Sequence, residues 1–283
     1  STCGSITITG GTIKAQGGGW AAGIGNGFWR EEPTSSSVGQ ITITGGTIES
    51  KGGSSSISDI GVGGSASSNS PSYIKDLIIG PDVVLQENIN IQQDNYNGFV
   101  FKDGLATVLG EIELPIDITL KEGNRLIIPN NAKLLIPAEK KMTFDEGATL
   151  TVEKGAELTN SGTLQVDGQM EGSGTITGTV SNKENKTYYT VSFDPNGTTD
   201  NIPVQLVESG NKATDPSPAP TYTYYTLDGW YDTKDITGGN KPGDETITKN
   251  MTFYARWTPV SFETKSSVSF ETTYGASYKH VFT

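Results

Sequence analysis

The feature that most constrains the fold is an eight-residue segment that occurs twice without change. Residues 6–13 read Ile-Thr-Ile-Thr-Gly-Gly-Thr-Ile, and the same letters return 35 positions later as residues 41–48. Isoleucine alternates with threonine, as a β-strand with one buried face requires. A repeat of this length indicates coils that bury their apolar sides by stacking on their neighbours.

A second regularity runs through residues 123–180. Apolar residues recur every eight positions at first and then every six, between turns rich in Gly, Asn and Ser. The recurring positions are Leu126, Leu134, Met142, Leu150, Leu158, Leu164, Met170 and Ile176. Residues 76–120 keep the same strand pattern less regularly. We therefore predict an all-β chain with a parallel β-solenoid over residues 1–182. Periodicity alone does not separate parallel from antiparallel pairing, so an antiparallel meander or sandwich is the alternative.

The glycine-rich repeats carry a resemblance. The Gly-Gly-Thr-Ile and Ala-Gly-Ile-Gly elements, including residues 41–48, resemble the repeats of bacterial surface proteins with a right-handed parallel β-helix, some of which bind carbohydrate. The resemblance implies a right-handed coil and a place on the bacterial cell surface or outside the cell.

A second resemblance lies in residues 187–258. The segments that carry it are Tyr189-Thr-Val-Ser-Phe-Asp-Pro-Asn-Gly197, Leu227-Asp-Gly-Trp-Tyr231 and Ile247-Thr-Lys-Asn-Met-Thr-Phe-Tyr-Ala-Arg-Trp257. They resemble the internalin B-repeat family, also called the Listeria-Bacteroides repeat. The family's usual double glycine is here Gly197-Thr198, and residues 216–220 form a proline-rich loop. The resemblance implies a small β-grasp-like module that serves relatives as a spacer or adhesive unit.

The flanking segments suggest where this module begins and ends. The polar run 181–186 contains no core candidate, so we expect a boundary there. Within the module, Val191 and Phe193 alternate with polar residues and can share one buried face. Residues 259–283 hold Ser-Phe-Glu-Thr twice and resemble the opening strands of a bacterial immunoglobulin-like repeat, or a β tail. We predict that the natural polypeptide continues past Thr283.

Charge and residue usage exclude several functions. The net charge is −12, and no basic stripe exists that could displace counterions from nucleic acid. No apolar run is long enough to insert into a membrane. Cys3 is the only cysteine and His280 the only histidine, which leaves no disulfide framework and no cysteine-based zinc site. We expect no nucleic-acid partner and no membrane insertion in this segment.

Enzymatic activity is the alternative function, because β-helices also host polysaccharide lyases and glycoside hydrolases. A pectate lyase needs acidic calcium ligands and a basic residue, and the only arginines are Arg30, Arg125 and Arg256. The adjacent aspartates and Gly-His-Gly of a polygalacturonase are absent. Two isolated carboxylates could still perform acid/base hydrolysis. A non-enzymatic protein without a cofactor is favoured, and residues 194–197 suit a turn better than a calcium loop.

One aromatic cluster suggests a binding site. Trp20, Phe28 and Trp29 lie in the loop after the first repeat, followed by Arg30. Exposed aromatic rings can stack on sugar rings, while nearby charges form hydrogen bonds. The alternative is that these rings cap the open end of the solenoid. The sequence thus predicts an extracellular adhesin that binds glycan or a host or neighbouring cell surface.

Overall fold

The computed structural model describes residues 2–27, 37–64, 73–91 and 96–261. These ranges contain 26 β-strands and no helix, so they include no helix that could span a membrane. The prediction of an all-β chain is confirmed for this part of the protein. The tail predicted to resemble an immunoglobulin-like repeat lies outside the described residues beyond position 261.

The strands up to Leu120 are β1 Thr2–Cys3, β2 Ile6–Ile8, β3 Thr12–Gln16, β4 Ile24–Gly25, β5 Ser37–Ile43, β6 Gly46–Lys51, β7 Ile60–Gly61, β8 Tyr73–Ile79, β9 Val83–Leu85, β10 Asn97–Lys102, β11 Leu105–Leu109, β12 Glu111–Glu113 and β13 Ile118–Leu120. The remaining strands are β14 Arg125–Ile128, β15 Lys133–Ile136, β16 Lys141–Phe144, β17 Thr149–Val152, β18 Glu157–Asn160, β19 Thr163–Val166, β20 Gln169–Gly172, β21 Thr175–Thr177, β22 Val180–Ser181, β23 Thr187–Asp194, β24 Gln205–Glu208, β25 Tyr225–Tyr231 and β26 Met251–Pro259.

Between β11 and β22 each strand pairs in parallel with the strand three places later in the chain. This pairing forms three sheets, which contain β11-β14-β17-β20, β12-β15-β18-β21 and β13-β16-β19-β22. It also explains the eight-residue spacing, because three such segments make 24 residues, and Leu126 lies beside Leu150, 24 positions later. The six-residue spacing has the same origin, since Leu158 pairs with Ile176, 18 positions later. Stacked parallel strands of this kind are consistent with a β-solenoid.

The first repeat stacks in the same way with longer coils. Ile6 lies beside Ile41, which in turn lies beside Leu77. β3 pairs with β6 and β4 with β7, again in parallel. The unchanged eight-residue segment therefore marks equivalent positions in successive coils. The antiparallel alternative is wrong for these sheets, apart from one hairpin between β10 and β11.

The interior of the stack is apolar from one coil to the next. Leu126 and Leu150 are fully buried and align with the partly buried Met170 in the next strand. Burial of each Leu or Ile side chain contributes roughly 1.5–3 kcal/mol. Because each coil is too narrow to enclose its own apolar side, most of this stabilisation depends on the coils above and below.

Residues 187–261 form a second core around Trp230, which is 1% exposed. Phe193 meets Trp230 edge to face at 5.2 Å and stacks on Phe253 at 5.9 Å. β23 pairs in parallel with β26, and β26 pairs antiparallel with β25. Val191 and Phe193 are buried together, as their alternation with polar residues predicts.

The module is joined to the last coil by a continuous sheet. Residues 182–186 form a turn, after which β23 pairs antiparallel with β22. The sheet β13-β16-β19-β22 therefore continues into β23, β26 and β25. Outside the sheet, the Val204 backbone N–H donates to the Gly172 carbonyl at 2.8 Å. The end of the stack is thus covered by the module.

Candidate functional site

The predicted aromatic site is described only at Trp20. Its side chain is 55% exposed, and its Cε3 lies 3.0 Å from where a Cβ at Gly64 would stand. The Trp20 carbonyl accepts a hydrogen bond from the Gly64 N–H at 2.7 Å. The ring therefore lies beside the following coil with much of its surface open to solvent. Phe28, Trp29 and Arg30 lie outside the described residues, so the clustering of the four side chains stays a prediction.

A cleft forms where the last coil meets the module. We call it the junction cleft; its volume is about 570 Å³. β21 borders it from the solenoid, while β23, the start of β26 and the loop 195–204 border it from the module. The lining residues are Lys154, Ser173, Gly174, Thr175, Ile176, Thr177, Thr190, Ser192, Phe193, Asp194, Pro195, Thr198, Asp200, Ile202, Asn250, Met251 and Thr252.

The cleft forms because inward-facing and outward-facing side chains alternate along the strands on both of its sides. In β21 the side chain of Ile176 points inward, which leaves Thr175 and Thr177 on the outer surface. In β23 Ser192 lies between the buried Val191 and Phe193 and is partly exposed. The connection at residues 182–186 then brings these two strands to the same end of the stack.

Two side chains, Asn250 and Thr190, fix the module against this end of the stack. The Asn250 Nδ2 donates to the carbonyls of Ile176 and Gly178, each at 3.0 Å. Its Oδ1 accepts from the Thr190 N–H at 2.9 Å. The Thr190 Oγ1 donates to the Ile176 carbonyl at 3.3 Å. These bonds satisfy backbone groups where regular strand pairing ends, and they hold the inner wall of the cleft in place.

The lining is rich in hydroxyl groups and has few charges. Hydroxyl side chains come from Ser173, Thr175, Thr177, Thr190, Ser192, Thr198 and Thr252. Ile176, Phe193, Met251 and Ile202 add apolar surface. Among the charged residues, Asp194 pairs with Lys234 at 3.3 Å, and Asp200 accepts from the Thr198 hydroxyl at 2.9 Å. Such a surface can hydrogen-bond a neutral polyhydroxylated ligand while its apolar parts contact ring carbons.

A wider groove, of about 950 Å³, adjoins the junction cleft. The two share Lys154, and the groove continues along Glu153, Glu171 and Asn130 on β17, β20 and the turns beside them. The Glu153 carboxylate accepts from the Asn130 N–H at 3.1 Å. Through Lys154 the cleft and the groove form one connected surface.

The module also presents exposed tyrosines that the sequence reasoning missed. Tyr222 stacks on Tyr225 at 4.3 Å and meets Trp257 edge to face at 5.6 Å. Tyr224, between them in the chain, is 68% exposed. The sequence Tyr222-Thr-Tyr224-Tyr225 could have indicated this cluster. It directly follows the proline-rich loop of residues 216–220.

Arg256, one of the arginines considered for catalysis, has structural partners. The Arg256 guanidinium lies 3.6 Å from the centre of the Tyr231 ring and donates to the carbonyls of Asp235 and Gly238. Asp194 accepts from the Asn196 N–H at 2.9 Å, which closes the turn predicted there. Within the described ranges no group of three His, Cys, Asp or Glu side chains is placed to hold a metal ion. The expectation of no cofactor, with calcium as the weaker alternative, stays an untested prediction.

Comparison with known proteins identifies one region. Residues 189–256 match the family model of the Listeria-Bacteroides repeat domain. The match covers 68 of the 283 residues and agrees with the module of β23–β26. No curated protein matches the chain.

Proposed function

We propose that this is a non-enzymatic, extracellular bacterial surface protein that binds glycan along its β-solenoid. In this proposal residues 1–182 form a right-handed β-helix, and the module of residues 187–258 extends the rod as a spacer and supplies one wall of the junction cleft. The Listeria-Bacteroides repeat supports an extracellular setting. The right hand is supported by the general preference of parallel strand crossovers.

The observation that carries the proposal is the chemistry of the junction cleft. Seven hydroxyl side chains and one amide line a cleft of about 570 Å³ together with apolar residues. Sugars are bound by this combination, because many weak hydrogen bonds fix the hydroxyl groups while apolar patches contact the C–H faces. The exposed indole of Trp20 offers a second surface for a long chain, at the opposite end of the stack.

The cleft is tested by removing two hydroxyls without changing side-chain shape. The variant Thr175→Val with Thr252→Val is compared with the parent on a glycan array and then by calorimetric titration. We expect binding roughly tenfold weaker, because two hydrogen bonds of about 0.5–1.5 kcal/mol each are lost. Thr163→Val, on the outer face of β19 and away from the cleft, is the matched control.

Two results would overturn the proposal. One is that the parent binds no glycan on a broad array. The other is that incubation with pectin or other polysaccharides releases new reducing ends or unsaturated products, which would make the protein an enzyme. Unchanged binding by the double valine variant would exclude the junction cleft as the glycan-binding site. Unchanged binding by Trp20→Ala with Trp29→Ala would remove the aromatic loop as a contact.

A further inference from the structure

One face of the solenoid presents two rows of outward-facing side chains across four parallel strands. It is the outer face of the sheet β12-β15-β18-β21. We call the two rows the outer track. The first row is Glu111, Lys133, Glu157 and Thr175, and the second is Glu113, Leu135, Thr159 and Thr177. Since neighbouring strands lie about 4.8 Å apart, each row crosses the sheet over roughly 14 Å.

The outer track begins inside the junction cleft. Thr175 and Thr177, at one end of the two rows, line the cleft. Their registered neighbours on β18, Glu157 and Thr159, line a separate hollow of about 410 Å³. Because β18 and β21 are directly paired, no strand separates the cleft from the hollow. A ligand that leaves the cleft past Thr177 therefore meets the hollow next.

The hollow contains an apolar side chain on the outer surface. Leu135 lies between the buried Leu134 and Ile136, so it points outward, and it is partly exposed. Its neighbours in the row are Glu113 and Thr159. An apolar side chain beside a hydroxyl group can contact the C–H face of a sugar ring while the hydroxyl binds a ring substituent. The hollow thus repeats the mixed chemistry of the cleft.

The charges of the outer track disfavour an anionic ligand. The Lys133 ammonium lies 3.0 Å from the Glu111 carboxylate and 3.7 Å from the Glu157 carboxylate. Its charge is therefore already neutralised from both sides. Together with Glu113 the track carries three carboxylates against one ammonium, so it repels a polymer of sugar acids.

We propose that the ligand of the junction cleft is a linear, uncharged polysaccharide that leaves the cleft at Thr177 and crosses β18 and β15 along the outer track. This inference rests on the proposed function, and it adds the class of the polymer and the path that it follows. The other path out of the cleft is the groove beside Lys154, on β17 and β20.

The test compares short and long ligands by calorimetric titration. The probes are the disaccharides and hexasaccharides of glucose, xylose and mannose, together with the hexamer of galacturonic acid. In at least one neutral series we expect the hexasaccharide to bind roughly tenfold or more tightly than the disaccharide, because the added units form hydrogen bonds and apolar contacts on the track. The galacturonic acid hexamer should show no such gain.

Two variants locate the path of the longer ligand. Leu135→Ser and Thr159→Val should each reduce the gain of the hexasaccharide and leave the affinity for the disaccharide unchanged. Ile127→Ser and Thr151→Val are the matched controls, because they make the same changes at equivalent outward positions of β14 and β17. Both should keep the gain. Thr159→Val preserves side-chain shape, so it tests the path even if Leu135→Ser does not fold.

The outcomes separate this inference from the proposed function. Disaccharide binding without a gain for any hexasaccharide would overturn the inference and leave the cleft as a glycan site. Loss of the gain in Thr151→Val but not in Thr159→Val would place the polymer in the groove and overturn it as well. Equal binding of the galacturonic acid hexamer would contradict the uncharged class. If none of the probes and no glycan on a broad array bound, the proposed function and this inference would both fail.

Discussion

Asn250→Ala tests the connection between the module and the stack. The side chain makes two hydrogen bonds across the junction, to the carbonyls of Ile176 and Gly178, and a third within the module, to the Thr190 N–H. Thr190 is 3% exposed, so its N–H would lose its partner in a buried position. A hydrogen bond contributes about 0.5–1.5 kcal/mol net, and an unpaired buried group costs about 1–3 kcal/mol. We therefore expect the free energy of unfolding to fall by about 2–4 kcal/mol.

Urea denaturation gives the free energy, and hydrogen exchange shows where the loss occurs. Exchange at the Thr190 amide should accelerate more than exchange in β17, which lies away from the junction. Asn211→Ala is the matched control, because Asn211 is exposed and its hydrogen bonds at 2.9 and 2.7 Å are made by its backbone. If Asn250→Ala were as stable as Asn211→Ala, the junction would not be held by this side chain and the reasoning would be refuted.

Three further predictions address the stack itself, each measured by urea denaturation. Leu150→Ala should lower the free energy of unfolding by about 2–5 kcal/mol, because Leu150 is fully buried between neighbouring coils. Gly162→Ala should cost about 1–3 kcal/mol, because its Cβ would lie 2.1 Å from the Pro137 carbonyl oxygen. Lys133→Met should reduce stability at low salt. The hydrogen bond to Glu111 raises the pKa of Lys133 above 10.5. The destabilisation by Lys133→Met should therefore be complete below pH 10.5 and should disappear as the pH rises through the raised pKa.

Each of these variants has a control. Val84→Ala removes an exposed side chain and should change the free energy of unfolding by less than about 0.5 kcal/mol. At Gly243 an added Cβ meets nothing within 4 Å, so Gly243→Ala should be neutral. Lys75→Met changes an exposed lysine of β8 and should not reduce the free energy of unfolding at low salt. A stack that tolerated Leu150→Ala and Gly162→Ala as well as these controls would not be packed as described.

The sequence predicts the stack because its coils repeat. The return of residues 6–13 after 35 positions equals the offset between Ile6 and its partner Ile41. The eight-residue spacing is one third of the 24 residues between paired strands, so each coil has three sides. The hairpin of β10 and β11 was not predicted, since it interrupts the stacking where the period is weakest. Its turn contains Asp103 and Gly104, both at positive φ.

The junction cleft could not be predicted, because it depends on contacts between distant segments. The alternation around Ile176 and Val191 predicts that Thr175 and Ser192 lie on outer surfaces. It does not show that these surfaces meet. That follows from the turn at residues 182–186 and from Asn250, 74 positions beyond Ile176. A single polar residue such as Asn250 produces no repeating pattern in the sequence, so its three long-range hydrogen bonds could not be predicted.

Adjacent strands of the stack are parallel and in register, and engineered disulfides test this arrangement directly. In a Cys3→Ser background, cysteine pairs are placed on β15 and β18, whose registered partners are Lys133 with Glu157 and Leu135 with Thr159. Registered partners lie about 4.8 Å apart, within the Cα separation that a disulfide spans. The crossed pairs are about 8 Å apart, which is too far. We expect 133/157 and 135/159 to form disulfides under mild oxidation, while 133/159 and 135/157 do not. The opposite pattern would show antiparallel strands and contradict the parallel register.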